Sequence, residues 1–145
     1  MDIQELYQEV ILDHGRRPRN FGMLEPSTHD AEGYNPLCGD RFHLYLQVSD
    51  GVIDQIRFDG TGCAISTASA SLMTEAMKGK PVSDFPELFE AVHNMVTGED
   101  PGDHDIGKLA VFGGVSNFPL RVKCATLAWH TMKAALRGDG EVSTE

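Results

Sequence analysis

Positive charge is scarce in this chain. Its 145 residues carry 12 Lys and Arg against 22 Asp and Glu, a formal net charge of −10. Sequence-independent binding to nucleic acid or to an anionic membrane surface needs a cationic excess, so neither is expected. Long apolar runs are missing as well, and nothing approaches the roughly 20 residues that span a bilayer. The opening Met1-Asp2-Ile3-Gln4-Glu5 has neither the basic start nor the apolar stretch of a secretory leader. Cysteine is both rare and odd in number, three in all, whereas a secreted disulfide scaffold has more and pairs them. The expectation is a cytoplasmic, reduced protein with free thiols or a metal site. Internal repeats and low-complexity linkers are absent too. What is present is a hydrophobic content of 41%, enough to fold as one domain over 1–145 with a buried core.

After one N-terminal helical segment, periodicity divides the chain into strands first and helices after. Ile3 to His14 places Ile3, Tyr7, Val10 and Ile11 near one helical face, with Gly15 and Pro18 as stop signals. The basic cluster Arg16, Arg17 and Arg19 comes next. It is either a helix C-terminus favoured by the helix dipole or a patch that docks an acidic partner. Arg41 to Val48 alternates, with Phe42, Leu44, Leu46 and Val48 on one side and Arg41, His43, Tyr45 and Gln47 on the other. Ser49-Asp50-Gly51 signals a turn into a second strand, Val52 to Phe58, and a third strand is expected near Asp30 to Tyr34.

Beyond Gly60-Thr61-Gly62 the period becomes helical. Ile65, Ala68, Leu72 and Ala76 predict a helix ending near Gly79. Ser83 or Asp84 caps another, with Phe85, Phe89, Val92 and Val96 on one face. Thr97 to Asp105 reads as a surface loop and Ile106 to Phe112 as a short helix, broken by Gly113-Gly114 and Pro119. A last helix runs from about Val122 to Arg137, with Ala125, Ala128, Trp129, Met132 and Leu136 inward, and the acidic tail is expected to fray. The fold class is α+β, a small antiparallel sheet of about three strands covered by helices.

Each cysteine falls at an element boundary. Cys38 precedes the first clear strand, Cys63 opens a helix, and Cys124 is placed in the first turn of the last helix. Helix N-termini stabilise thiolates, the form that acts as nucleophile and as metal ligand. Asp40 lies two residues after Cys38 and can share its face, with Gly39 allowing the backbone to bend between them. Three thiolates and a carboxylate suit four-coordinate Zn²⁺, and iron–sulfur clusters are thiolate-bound too. The spacing alone leaves open a convergent metal site or three unrelated buried thiols. His14, His29, His43, His93, His104 and His130 show no paired ligand spacing and read as surface or core histidines.

Five stretches carry a resemblance. They are Val10-Ile11-Leu12-Asp13-His14, Pro18-Arg19-Asn20-Phe21-Gly22, Asn35-Pro36-Leu37-Cys38-Gly39-Asp40, Gly60-Thr61-Gly62-Cys63-Ala64-Ile65-Ser66, and Arg121-Val122-Lys123-Cys124-Ala125-Thr126-Leu127-Ala128. In that combination the chain resembles the U-type iron–sulfur cluster assembly proteins, the family of IscU, SufU and the N-terminal domain of NifU. Two features resemble the SufU kind. Lys123 stands where scaffolds of the IscU kind have a histidine, and a protonated Lys is no ligand. The stretch between the second and third cysteines is longer, with Gly98 to Ser116 as the extra surface material.

The resemblance implies an IscU/NifU-N-like fold and a zinc-dependent sulfurtransferase that accepts persulfide sulfur from a SufS-type cysteine desulfurase. Carried onto this chain, it implies zinc ligands Cys38, Asp40, Cys63 and Cys124, with Cys38 as the sulfur acceptor. It implies a ligand exchange in which a desulfurase histidine frees Cys38, and delivery to downstream cluster-assembly machinery. The alternative is a scaffold on which a [2Fe–2S] cluster is assembled and transferred, with iron or the cluster in place of zinc. A purely structural zinc is the third reading. The resemblance leaves open whether sulfur acceptance makes the protein an enzyme in its own right.

Overall fold

The computed structural model describes residues 3–102 and 106–143. Of the loop expected over 97–105, residues 103–105, His104 among them, lie outside the described residues, as does the side chain of Ile3. The chain forms α1 (Ile3–Arg16), β1 (His29–Asn35), β2 (Asp40–Ser49), β3 (Val52–Thr61), α2 (Ala64–Met77), α3 (Phe85–Val96), α4 (Pro119–Arg137) and β4 (Glu141–Ser143). Short 3-10 turns at Val82–Asp84, Gly107–Phe112 and Val115–Asn117 link the helices.

The three expected strands form in order, joined by close connections. Asp50 and Gly51 take φ values of 52° and 77°, the two left-handed residues that a tight hairpin turn requires. β2 pairs antiparallel with both neighbours, Leu44 facing Ala31 on one side and Phe58 on the other. Its inward residues Phe42, Leu44 and Leu46 are buried, and with Ile53, Ile56 and Phe58 of β3 they floor the core. Leu72 and Met73 of α2 and Leu127, Trp129 and Met132 of α4 pack over that floor.

The sheet has a fourth strand and is mixed. Its order is β3-β2-β1-β4, and β4 runs parallel to β1 with Gly33 opposite Val142. The tail expected to fray is thus partly a strand, because Gly138, at φ 83°, turns the chain back after α4 and brings it beside the free edge of β1. Gly15 does not stop α1 but lies within it. A Cβ there would meet the Ala64 carbonyl oxygen at 3.2 Å, so glycine permits α1 to cross the start of α2 closely. The segment 98–116, expected as surface material, contributes Leu109, Val111, Phe112 and Val115 to the core. Its apolar residues close the space beside α1 and α2 that would otherwise stand open to water.

α2 is buried nearly all round, which its small residues allow. Ser69 donates to the Ala125 carbonyl at 2.6 Å and accepts from Trp129 Nε1 at 3.1 Å. These bonds lock α2 to α4, and with them the two helices that carry Cys63 and Cys124.

Candidate metal centre

The β1–β2 connection is a tight loop closed at its base. Asn35 and Asp40 face each other across the ladder, and the Gly39 N–H donates to the Asn35 carbonyl at 2.8 Å. Gly39 sits at φ 73°, a conformation costly for residues with a Cβ. The loop lifts Cys38 and Leu37 into solvent while Asp40 stays in the protein at 1% exposure.

Cys38, Asp40 and Cys124 bring one ligand atom each within 4.8 Å of one another. The Cys124 thiol donates to Cys38 Sγ at 3.3 Å, and both cysteines are free. Cys124 is buried, and α4 begins at Pro119 and not near Val122. It therefore stands in the second turn, where it gains little from the helix dipole. Burial, the bond to Cys38 and the nearness of Cys63 and Asp40 push its thiol well above the ordinary range.

Cys63 joins from a different side. It is the N-cap of α2, as expected, and its sulfur accepts from the Ser66 N–H at 3.4 Å and bonds the Ser66 hydroxyl at 3.0 Å. Its own N–H donates to Asp40 Oδ1 at 2.9 Å. Its sulfur is not one of the group of three but is near enough to Cys124 to act on that thiol. Gly62 leaves the room for this arrangement. A Cβ there would meet Phe42 at 2.7 Å and both Asp40 Oδ1 and Ser66 Oγ at 3.1 Å.

The four sequence candidates thus converge on one end of the sheet. Two polar residues beside them gave no signal of their own, Ser66 on the Cys63 sulfur and Asn35 beneath the loop. Among the described residues, no Lys, Arg or His forms an ion pair with Asp40. A buried carboxylate facing two sulfurs, with neutral donors as its partners among the described residues, fits a cation. The residues present suit a thiophilic divalent ion.

Large apolar side chains stand exposed on the two segments that carry Cys38 and Cys124. Leu37, Phe118 and Leu120 are 58%, 49% and 61% exposed. The Arg121 guanidinium lies 4.6 Å over the Phe118 ring. Of the basic cluster, Arg19 pairs with Asp13 at 2.7 Å, and Arg16 and Arg17 are exposed.

Fold and side chains together define a small α+β domain that presents, at one end of its sheet, a cysteine–carboxylate group able to hold a metal ion. The NifU-like N terminal domain family matches residues 6–125, and the chain belongs to it. The chain is 39% identical over 133 residues to the zinc-dependent sulfurtransferase SufU of Bacillus subtilis, covering 91% of this chain and 90% of that one. It is 40% identical over 137 residues to the iron–sulfur cluster assembly scaffold protein IscU of Thermotoga maritima, covering 94% and 96%. A crystal structure from Fervidobacterium islandicum, of an iron–sulfur cluster assembly scaffold protein for the SUF system, superposes with a TM-score of 0.85. It is 34% identical and covers 93% of this chain and 99% of its own. The N-terminal NifU-like protein of Brucella abortus, at 22% identity and TM-score 0.84 over 94% and 95% of the two chains, shares the fold. No helix among the described residues is long and apolar enough to cross a membrane.

Proposed function

We propose that the chain is a zinc-dependent sulfur acceptor that takes persulfide sulfur from a SufS-type cysteine desulfurase for iron–sulfur cluster assembly. The observation that carries the reading is the asymmetry of the centre. Cys38 and Cys63 are exposed, and Asp40 and Cys124 are buried. Of the two exposed sulfurs, that of Cys63 is bonded to Ser66 as the N-cap of α2, and that of Cys38 stands on its loop in the group with Asp40 and Cys124. An attacking sulfur must be reachable, and the groups that hold its surroundings need not be. Lys123, in place of a histidine ligand, favours the acceptor over the scaffold. So does the similarity to a named zinc-dependent sulfurtransferase.

Cys38, Asp40, Cys63 and Cys124 would hold the zinc. Once bound, that ion supplies deprotonated thiols at neutral pH and lowers their reactivity until one is released. The transfer itself needs no outside oxidant. The Cys38 thiolate attacks the terminal sulfur of the desulfurase persulfide and the old S–S bond breaks. The desulfurase cysteine leaves as a thiolate, and the sulfane sulfur remains on Cys38. Leu37, Phe118 and Leu120 form the apolar rim that the partner covers, with Arg16 and Arg17 as candidate contacts to acidic groups. Residues 98–116 are the SufU-type insertion of a single domain over 1–145.

The scaffold reading has its own support in relatives named as IscU scaffolds. Metal and acid-labile sulfide analysis of protein purified without added metal separates the two. One zinc per chain without sulfide is expected, and iron with equimolar sulfide would move the chain to the scaffold class. With the desulfurase and cysteine supplied, mass spectrometry should find one added sulfur on the parent and none on Cys38→Ala. Full sulfur acceptance by Cys38→Ala would remove Cys38 from the acceptor role.

A further inference from the structure

Asn35 is wholly buried at the end of β1, and its side chain is satisfied at one end only. Nδ2 donates to Asp40 Oδ2 at 3.4 Å and to Cys124 Sγ at 3.7 Å. Oδ1 has no hydrogen-bond partner among the described residues. Turning the amide over would set its carbonyl oxygen against the Asp40 carboxylate, so the chemistry of the neighbours fixes the orientation. A buried carbonyl left without a donor is costly, and such groups call for an explanation. An amide serving only to fill space would be bonded at both ends or replaced by an apolar side chain. This one gives both N–H groups to members of the metal centre.

We propose that Asn35 is a positioning residue of the centre. It ties the Asp40 carboxylate, from the hairpin, to the Cys124 sulfur, from α4, and it tempers the electron donation of that sulfur. The two ligands come from distant parts of the chain, and the register of β1 against β2 sets Asn35 beside Asp40 at the sheet end. The Asn35 main-chain carbonyl separately accepts from the Gly39 N–H, a bond that side-chain substitution leaves in place. Outer-sphere donors of this kind orient metal ligands and tune them. The inference rests on the metal-binding part of the function proposed above.

The test measures ion binding, not sulfur transfer. Zinc affinity is read by competition with a chromogenic chelator. Cobalt(II) is read by its sulfur-to-metal charge-transfer absorption. Asn35→Ala removes the amide and Asn35→Leu replaces it with a side chain of similar shape that has no N–H. Both variants should bind zinc roughly 10–100-fold more weakly. Loss of the bond to Cys124 should raise the sulfur donor level and move the cobalt band to longer wavelength. Asn35→Leu with the parent's affinity and band would overturn the inference alone, since filled space would then suffice. A parent that binds neither ion would overturn the metal reading and this inference together. If circular dichroism shows both variants unfolded without metal, Asn35 is a folding residue and the inference fails.

Discussion

Asp40 accepts hydrogen bonds from the Cys63 N–H and from Asn35, and it faces the sulfurs of Cys38 and Cys124. It is 1% exposed. Burying a carboxylate against neutral donors costs folding free energy unless a cation compensates. Asp40→Asn keeps the volume and removes the charge. The metal-free variant is expected to melt at or above the parent's temperature. The parent should gain stability when zinc is added, by mass action, and the variant should gain little. Zinc affinity should fall by more than roughly 100-fold, beyond the usual effect of an outer-sphere partner. Thermal melts with and without zinc check both halves of the prediction. The candidate ligands were legible through the family resemblance, since cysteine spacing alone left a metal site and three unrelated thiols open and Asp at a turn has ordinary uses. Asn35 and Ser66 were not, because an Asn before a Pro or a Ser after a helix start reads as ordinary turn or cap chemistry. Their roles emerge only once Cys124, 89 residues from Asn35, folds against the hairpin.

At the scale of elements, the decisive contact is α4 on β1. Gly33 has no side chain because Thr131 Oγ1 and Leu127 of α4 occupy the place where its Cβ would stand. Thr131 is itself fixed, its hydroxyl donating to the Leu127 carbonyl at 2.7 Å. Gly33→Ala should lift α4 away from β1 and cost about 1–3 kcal/mol, the usual range for overpacking. Denaturant unfolding measures that loss. Since α4 carries Cys124, zinc affinity should fall with it, whereas Gly114→Ala, in open space, should leave both unchanged. The strands and helices themselves were readable from their periods. The start of α4 was not, because Pro119 serves equally as a breaker of the preceding turn and as the first residue of a new helix. Gly15 is deceptive for a related reason. A glycine signals helix termination, and only the crossing with Ala64 shows it as a point of close approach. β4 left no trace in the sequence, since three polar-flanked residues carry no strand period and gain their pairing only from the edge of β1.

At the scale of the molecule, two partly or wholly buried histidines make stability depend on pH. His14 is 2% exposed, its Nδ1 bonded to Ser71 Oγ at 2.7 Å and its Nε2 3.6 Å from Glu75. Burial, with Arg19 and Lys108 acting against Glu75 and Asp13, lowers its pKa below the ordinary 6.5. Burial together with His93 and Lys133 lowers that of His130 as well. Both are neutral in the folded chain, and the unfolded chain binds their protons first. Their contribution is therefore full above pH 6.5 and is lost as pH falls through the depressed folded values. Melting temperature should drop on acidification from about pH 7 toward about pH 5, the range in which histidine changes charge. His14→Gln should flatten part of that slope, with metal-free protein used so that ligand protonation does not enter.

The centre gathers its groups from the first hairpin, the start of α2 and the last long helix, with Cys124 standing 86 positions beyond Cys38. A chain still being synthesised therefore displays Cys38 long before Cys124 exists to meet it. Until α4 has emerged and docked, Cys38 and Asp40 stand without Cys124, the third member of their group. Completion of the centre thus coincides with completion of the fold. The order in which the ribosome delivers the candidate ligands makes an assembled metal site a property of the finished molecule alone.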